Sequence, residues 1–239
     1  MGVDEQVLRE FRKELEGRGA QDILSWTINQ LGAARVAFAS SLGVEDQVLT
    51  DMIAGMNPRP RVFTLDTGRL FQETYDLMQA TMAKYGLSYA VYAPDTAELE
   101  ALVSRFGPNL FYMSVENRKL CCRVRKTNPL KRILGTVDAW ICGLRREQSV
   151  TRDGVEVISW DAQHGIYKIN PLFDWTERQT RDYIRANGIP YNRLADQGFR
   201  SIGCQPCTRA VKEGENIRAG RWWWESPEHK ECGLHRRRE

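Results

Sequence analysis

Apolar positions along the first 150 residues of this chain recur in two alternating rhythms. Short runs of apolar residues, RVAFA (35–39), RVFTL (61–65), SYAVYA (88–93) and DAWICG (138–143), have the length of buried strands. Between them lie segments with helical spacing. VEDQVLTDMIAG carries Val44, Val48, Leu49 and Ile53, and residues 71–85 carry Phe71, Tyr75, Leu77, Met78 and Met82. AELEALVSRFG and a cysteine-bearing stretch supply two more. Strands alternating with helices predict an α/β fold, a doubly wound and mostly parallel sheet covered on both faces. Residues 4–31 precede it as two amphipathic helices, with Asp4 as N-cap and a break at Gly17 and Gly19.

Beyond Gly154 the rhythm changes. VEVISW and GIYKIN predict a β-hairpin or two short strands, and TERQTRDYIRANG predicts an amphipathic helix ending at Gly188. From Ile189 the chain is rich in turns and closes with a charged tail. No repeat, low-complexity segment or clear linker interrupts it. The expected organisation is one α/β domain over residues 1–239, with a C-terminal segment, 189–239, folded onto it.

Composition narrows the function. At 239 residues with 34 basic and 31 acidic side chains the net charge is +3, a balance that argues against nucleic acid as a general partner. No apolar run approaches the roughly 20 residues that span a bilayer. The N-terminal stretch alternates charges with apolar residues and lacks the core of a secretory signal, so the expected location is cytoplasmic. The basic residues are uneven, however. Arg123, Arg125, Lys126, Lys131, Arg132, Arg145, Arg146 and Arg152 crowd the middle, and Arg209, Lys212, Arg218 and Arg221 form a second group. They are either solvated faces or a site for a small, multiply charged anion.

In a doubly wound sheet, ligands bind at the carboxyl ends of strands near the topological switch point. Three loops lie at such ends. In SSLGVED, Ser40, Ser41 and Gly43 offer hydroxyls and N–H groups at a helix start, which suits phosphate or a plain helix cap. In LDTGRLF, Asp66, Thr67 and Gly68 suit a ribose or base, or an ordinary strand-to-helix turn. In GLRREQSVTR, Arg145, Arg146 and Arg152 would repel one another without an anionic partner, and guanidinium forks match phosphate or sulfate.

Six cysteines in a chain without a secretory signal point to metal ligation or catalysis before disulfides. Cys121 and Cys122 are adjacent, and Cys204 and Cys207 form a CxxC pair. Four thiolates suit a tetrahedral metal site or a 4Fe–4S cluster, and the adjacent pair favours the cluster over zinc. Cys142, beside Trp140 and Ile141 in an apolar run, reads as a buried structural thiol. Cys232 stands in a polar tail with Lys230 and His235, where cationic neighbours can hold a thiolate for nucleophilic attack; the alternative is an incidental tail cysteine. Trp222, Trp223 and Trp224 serve as core or as a partner surface.

Taken together these motifs resemble the assimilatory adenylyl-sulfate reductases, relatives of the phosphoadenylyl-sulfate reductases with an adenine nucleotide alpha hydrolase-like fold. The resemblance runs from about Ser40 to His235. SSLGVEDQVL is similar to the family's phosphate loop, LDTGRLFQETY to its nucleotide loop and GLRREQSVTR to its arginine loop. CCRVRKTNPL and SIGCQPCT are similar to its cluster motifs, and KECGLH to its catalytic C-terminus. The resemblance implies a 4Fe–4S cluster on Cys121, Cys122, Cys204 and Cys207. It implies that Cys232 attacks the sulfur of adenylyl sulfate, expels AMP and forms an S-sulfocysteine, which thioredoxin reduces to release sulfite. Lys126, Arg218, Arg221 and His235 match phosphosulfate contacts, with Arg152 a further candidate. Lys126 follows Cys122 by four residues and is expected on one helical face with it.

Three other readings stand beside this one. A phosphoadenylyl-sulfate reductase, or an enzyme taking both nucleotides, would use the same machinery; the CC and CxxC cysteines favour adenylyl sulfate. An adenylating or tRNA-thiolating enzyme of the same fold would carry a richer SGGxDS loop. A non-catalytic zinc or cluster module would not need KECGLH. The sequence sets no oligomeric state.

Overall fold

The computed structural model describes residues 4–148 and 154–226. Two helices open the chain, α1 (Glu5–Leu15) and α2 (Ala20–Leu31). Asp4 caps α1 as expected, its carboxylate accepting from the N–H groups of Gln6 at 2.9 Å and Val7 at 3.4 Å. The alternation follows: β1 (Val36–Ala39), α3 (Val44–Ala54), β2 (Arg61–Leu65), α4 (Gln72–Tyr85), β3 (Ala90–Tyr92) and α5 (Thr96–Phe106). Next come α6 (Val115–Cys122), α7 (Asn128–Leu134), β4 (Ala139–Ile141), β5 (Ile158–Asp161), β6 (Ile166–Ile169) and α8 (Glu177–Ala186). Thr176 and Gln179 form a reciprocal capping box at the start of α8.

The sheet has six strands in the order β3-β2-β1-β4-β6-β5. β1 runs parallel to both β2 and β4, β4 runs parallel to β6, and β5 pairs antiparallel with β6 as the hairpin reading anticipated. Strand order therefore reverses at β1, and the switch-point crevice opens between the carboxyl ends of β1 and β4. The two central strands, β1 and β4, are apolar throughout because both faces are covered: Val36, Ala37, Phe38, Ala139 and Ile141 are fully buried. Cys142 lies one residue past β4, buried, its N–H donating to the Ile169 carbonyl at 2.9 Å.

One local expectation fails. The chain does not continue as α-helix past Cys122; it widens into a π-helical turn over Arg123–Thr127 before α7. Lys126 and Cys122 are therefore not an i, i+4 pair of an α-helix, although both line the same cavity described below. Such π turns inside helices occur often at functional sites.

Contacts group the residues into two compact units: Met1–Thr64, Asp76–Ala90 and Leu134–Asn192, and Leu65–Tyr75, Val91–Ile133 and Arg193–Glu239. The first holds most of the sheet and a core that includes Leu8, Ile23, Phe38, Leu49, Ile141 and Ile169. The second has a core of its own, built from Leu102, Leu110, Phe111, Val124, Trp222 and four cysteines. No helix among the described residues is long and apolar enough to cross a membrane.

Candidate active site

At the end of β1 the chain makes a tight turn through residues 40–43. Leu42 takes a left-handed φ of 61°, uncommon for a branched side chain. Ser40 is buried, its hydroxyl accepting from the Leu42 N–H at 3.3 Å. Ser41 turns both its N–H and its hydroxyl onto one oxygen of Asp46, each at 2.7 Å. Asp46 lies in the first turn of α3, where the helix dipole favours an anion. Its other oxygen packs against Gly143 in the loop after β4, so closely that a Cβ at Gly143 would collide with it.

The neighbouring carboxylate reaches the same loop. Glu45 accepts from Arg145 Nε at 2.9 Å and Nη2 at 2.8 Å, and Arg145 also donates to the Trp175 carbonyl at 3.2 Å. Two consecutive acidic residues thus bridge the loops on either side of the crevice. Burial pushes the Asp46 carboxyl up to about 6, against the lowering effect of the Ser41 hydrogen bonds.

This corrects the premise that the arginine loop needs an outside anion. Glu45 supplies the counter-charge for Arg145, while Arg146 lies 4.8 Å over the Phe173 ring and donates to the Val155 carbonyl at 2.9 Å. The Ser41 donors expected to meet phosphate are likewise engaged by Asp46. Arg152 lies outside the described residues.

The second unit carries the remaining candidates. Asp66 accepts from the Gly68 N–H at 2.7 Å and the Tyr75 hydroxyl at 2.8 Å, closing a turn in which Gly68 has a φ of 67°. Arg125 donates to the Thr67 carbonyl at 2.6 Å, and the Thr67 hydroxyl stands 3.3 Å from Cys204 Sγ. The Gln205 N–H donates to the Arg69 carbonyl at 2.8 Å. These bonds stitch the turn after β2 to the CxxC segment.

Cys121, Cys122, Cys204 and Cys207 are buried, none of them in a disulfide, and line one cavity. Arg69, Arg118, Arg125, Lys126 and Arg221 line it as well, with Phe111, Pro206 and Trp222. Burial raises Cys121. Burial also acts on Cys204, but the charge of Lys126, the Thr67 hydroxyl and the Arg221 and Arg125 guanidiniums outweigh it, and the net shift is downward. Burial, reinforced by the charges of Cys204 and Cys122, pushes Cys207 up to about 12. One thiol of the set is thus biased toward thiolate while two resist it.

Arg118, fully buried one turn before the cysteine pair on α6, closes its fork on Glu225 at 2.9 and 2.7 Å. Trp222 lies between two guanidiniums, 4.6 Å from Arg118 and 4.9 Å from Arg221. Arg218 is half-buried, its N–H donating to the Asn216 side chain, and it does not line the cavity; Arg221 does. Cys232 and His235 lie outside the described residues.

The donor set fits a thiolate-bound inorganic group. Four thiols, none of them in a disulfide, share a wall with several cations, and Arg125 Nε and Trp222 Nε1 are buried without a hydrogen-bond partner among the described residues. No three His, Cys, Asp or Glu side chains among the described residues gather as a single-ion site does.

Sequence reasoning did not single out Glu45, Asp46, Arg69, Arg118 or Glu225. A signal existed for Arg118, which precedes Cys121 and Cys122 by three and four residues and so shares their helical face. None existed for Glu225, 107 positions further along.

Residues 35–210, which span both loop sets and all four clustered cysteines, match the phosphoadenosine phosphosulfate reductase domain. The chain belongs to that family. A relative from Allochromatium vinosum, adenosine 5'-phosphosulfate reductase, is 51% identical over 91% of this chain and 84% of its own length. Among solved structures, the phosphoadenylyl-sulfate reductase of Candida auris superposes with a TM-score of 0.76 at 28% identity, covering 88% of this chain and 99% of that one. The FMN adenylyltransferase of Candida glabrata shares the fold alone, with a TM-score of 0.56 at 15% identity over 93% of this chain and 75% of that one. Family and neighbours together place the chain in the adenine nucleotide alpha hydrolase-like fold class.

Proposed function

We propose that this chain is a cytoplasmic adenylyl-sulfate reductase of sulfate assimilation, drawing its electrons from thioredoxin. The observation that carries the reading is the cavity in which four buried cysteines line one wall together with a group of cations. The name of the Allochromatium vinosum relative supports the substrate.

The thiolate of Cys232 attacks the sulfur of adenylyl sulfate. An S–S bond forms, the S–O bond to the phosphate breaks, and AMP departs with the electron pair. A thioredoxin thiolate then attacks Cys232 Sγ, releasing sulfite and leaving a mixed disulfide. The second thioredoxin thiol closes the thioredoxin disulfide and frees Cys232. Both electrons come from the dithiol.

Lys126, Arg221, Arg218 and His235, with Arg152, are proposed to hold the phosphosulfate, where fixed cations stabilise charge developing on the leaving phosphate. The residues 40–43 turn, Asp66, Thr67, Gly68 and Arg145 are proposed to seat the nucleotide. Cys121, Cys122, Cys204 and Cys207 would hold a 4Fe–4S cluster, which when bound contributes a fixed electrostatic field and structural closure.

Incubating the anaerobically purified protein with sulfur-labelled adenylyl sulfate, without thioredoxin, should leave label on Cys232; no label on that residue overturns the reading. The same reaction on phosphoadenylyl sulfate is the second reading, favoured by the name of the Candida auris neighbour. Comparing kcat/KM for the two nucleotides decides between them.

A further inference from the structure

A buried group of hydroxyls lies beneath the turn after β1. Tyr89, directly before β3, is 8% exposed, and its ring belongs to the same core as Leu42, Val48, Leu49 and Leu77. Its hydroxyl is buried short of full hydrogen-bond geometry with any described residue. Facing it are the hydroxyls of Thr50 on α3, Ser40 in the turn and Thr81 on α4, all buried, and the charge of Asp46 reaches it as well. Burial raises the Tyr89 hydroxyl above its ordinary range, and the three facing hydroxyls pull it back. A phenol oxygen buried in this way is costly where a phenylalanine would not be.

The hydrogens around Tyr89 have fixed directions. Thr50 Oγ1 donates to the Asp46 carbonyl and Thr81 Oγ1 to the Leu77 carbonyl, each at 2.7 Å and one helical turn back. Thr81 Oγ1 also accepts from the Gln47 amide at 2.8 Å. With their single hydrogens spent, both threonines can only accept from Tyr89. Ser40 is the opposite case. Its oxygen accepts from the Leu42 N–H at 3.3 Å, which leaves its own hydrogen to give. The Tyr89 O–H thus suits a threonine, and the Tyr89 oxygen suits the Ser40 hydrogen.

Such a link fixes the Ser40 side chain, and Ser40 holds the N–H of Leu42, whose left-handed φ of 61° needs support from its surroundings. That bend sets how residues 41–43 lie at the start of α3.

We propose that Tyr89 is a positioning residue for the nucleotide seat: its hydroxyl, braced on Thr50 and Thr81, holds the Ser40 hydroxyl and through it the shape of the turn after β1. This rests on that turn seating the nucleotide. Tyr89 touches no substrate atom; it acts through Ser40.

The test uses the full-length, iron-loaded protein as wild type, Tyr89→Phe, Ser40→Ala and the double variant. Tyr89→Phe removes one oxygen and keeps the ring. AMP affinity by equilibrium dialysis, KM and kcat for adenylyl sulfate, and the far-UV spectrum are read for each. We expect Tyr89→Phe to weaken AMP binding and raise KM about three- to tenfold, the range that one hydrogen bond spans, with kcat within about twofold of wild type. The double variant should bind AMP no more weakly than Ser40→Ala, because both changes cut the same link. A wild-type AMP affinity in Tyr89→Phe overturns the proposal. So does loss of the folded spectrum in that variant, which would assign the hydroxyl to the core alone. Losses that multiply in the double variant overturn the path through Ser40. Absence of AMP binding by wild type overturns the nucleotide seat and this reading with it.

Discussion

Replacing Asp46 by Asn tests whether a buried carboxylate, and not merely a hydrogen-bond acceptor, sits under the turn after β1. Asp46 is 7% exposed, and burial raises its carboxyl from 3.8 to about 6. The sign follows from linkage. Between these two values the native protein binds more protons than the unfolded chain, so stability falls as pH rises. The penalty is absent below the unfolded value and complete above the folded one. Two pKa units at 1.36 kcal/mol each give about 3 kcal/mol in total. Of this, about 1.4 kcal/mol develops between about pH 5 and about pH 7.5. Asn keeps an acceptor for the Ser41 N–H and cannot ionise, so the variant loses this component. Urea unfolding of both proteins, followed by far-UV circular dichroism, should show the stability difference shifting in the variant's favour by about 1.4 kcal/mol across that interval. Other titrating groups are common to both proteins and cancel. A difference that stays constant with pH, or moves toward wild type, refutes the assignment of a raised Asp46.

Gly143→Ala should cost about 1–3 kcal/mol by overpacking, because its methyl group meets Asp46 and lies 3.0 Å from Glu45 Cβ; adenylyl-sulfate KM should rise with it, and an unchanged KM would separate this loop from nucleotide binding. Cys204→Ser should lower iron content to less than half of wild type while far-UV dichroism is retained, whereas Cys142→Ser should keep its iron. Full iron in the Cys204 variant would remove that residue from the ligand set.

The α/β alternation was legible because β1 and β4 are short, wholly apolar strands set between segments of helical spacing. Asp4, Thr176 and the hairpin of β5 and β6 follow from local rules alone. The π turn over Arg123–Thr127 could not be read, since RVRKT carries no side-chain pattern that separates it from α-helix. Nor could the polar side of α3. Gln47 is fully buried, its amide donating to the Thr81 hydroxyl and the Pro190 carbonyl, each at 2.8 Å. Burial of a polar side chain whose amide N–H groups find acceptors across the fold leaves no trace in an apolar pattern. The four clustered cysteines announced themselves by pairing. The ion pair of Arg118 and Glu225, and the seats of Asp46 and Glu45, depend on contacts that only the folded chain brings together.

The charges around the thiols explain why the cation-rich cavity and the cysteine set belong to one device. Arg125 is buried and reaches only a neutral oxygen, the Thr67 carbonyl. Neutral acceptors do not balance buried positive charge. Thiolates can, but each one formed opposes the next, as the lowered Cys204 and raised Cys207 indicate. The cations therefore favour the first ionisation without carrying all four. A thiolate-bound inorganic group brings the positive charge that lets every ligand deprotonate. Loading the proposed cage would release protons, so it should strengthen as pH rises, since Cys121 and Cys207 both resist ionisation. In the proposed arrangement the paired cysteines would hold the group, and the arginines and Lys126 would set the electrostatic environment into which it loads.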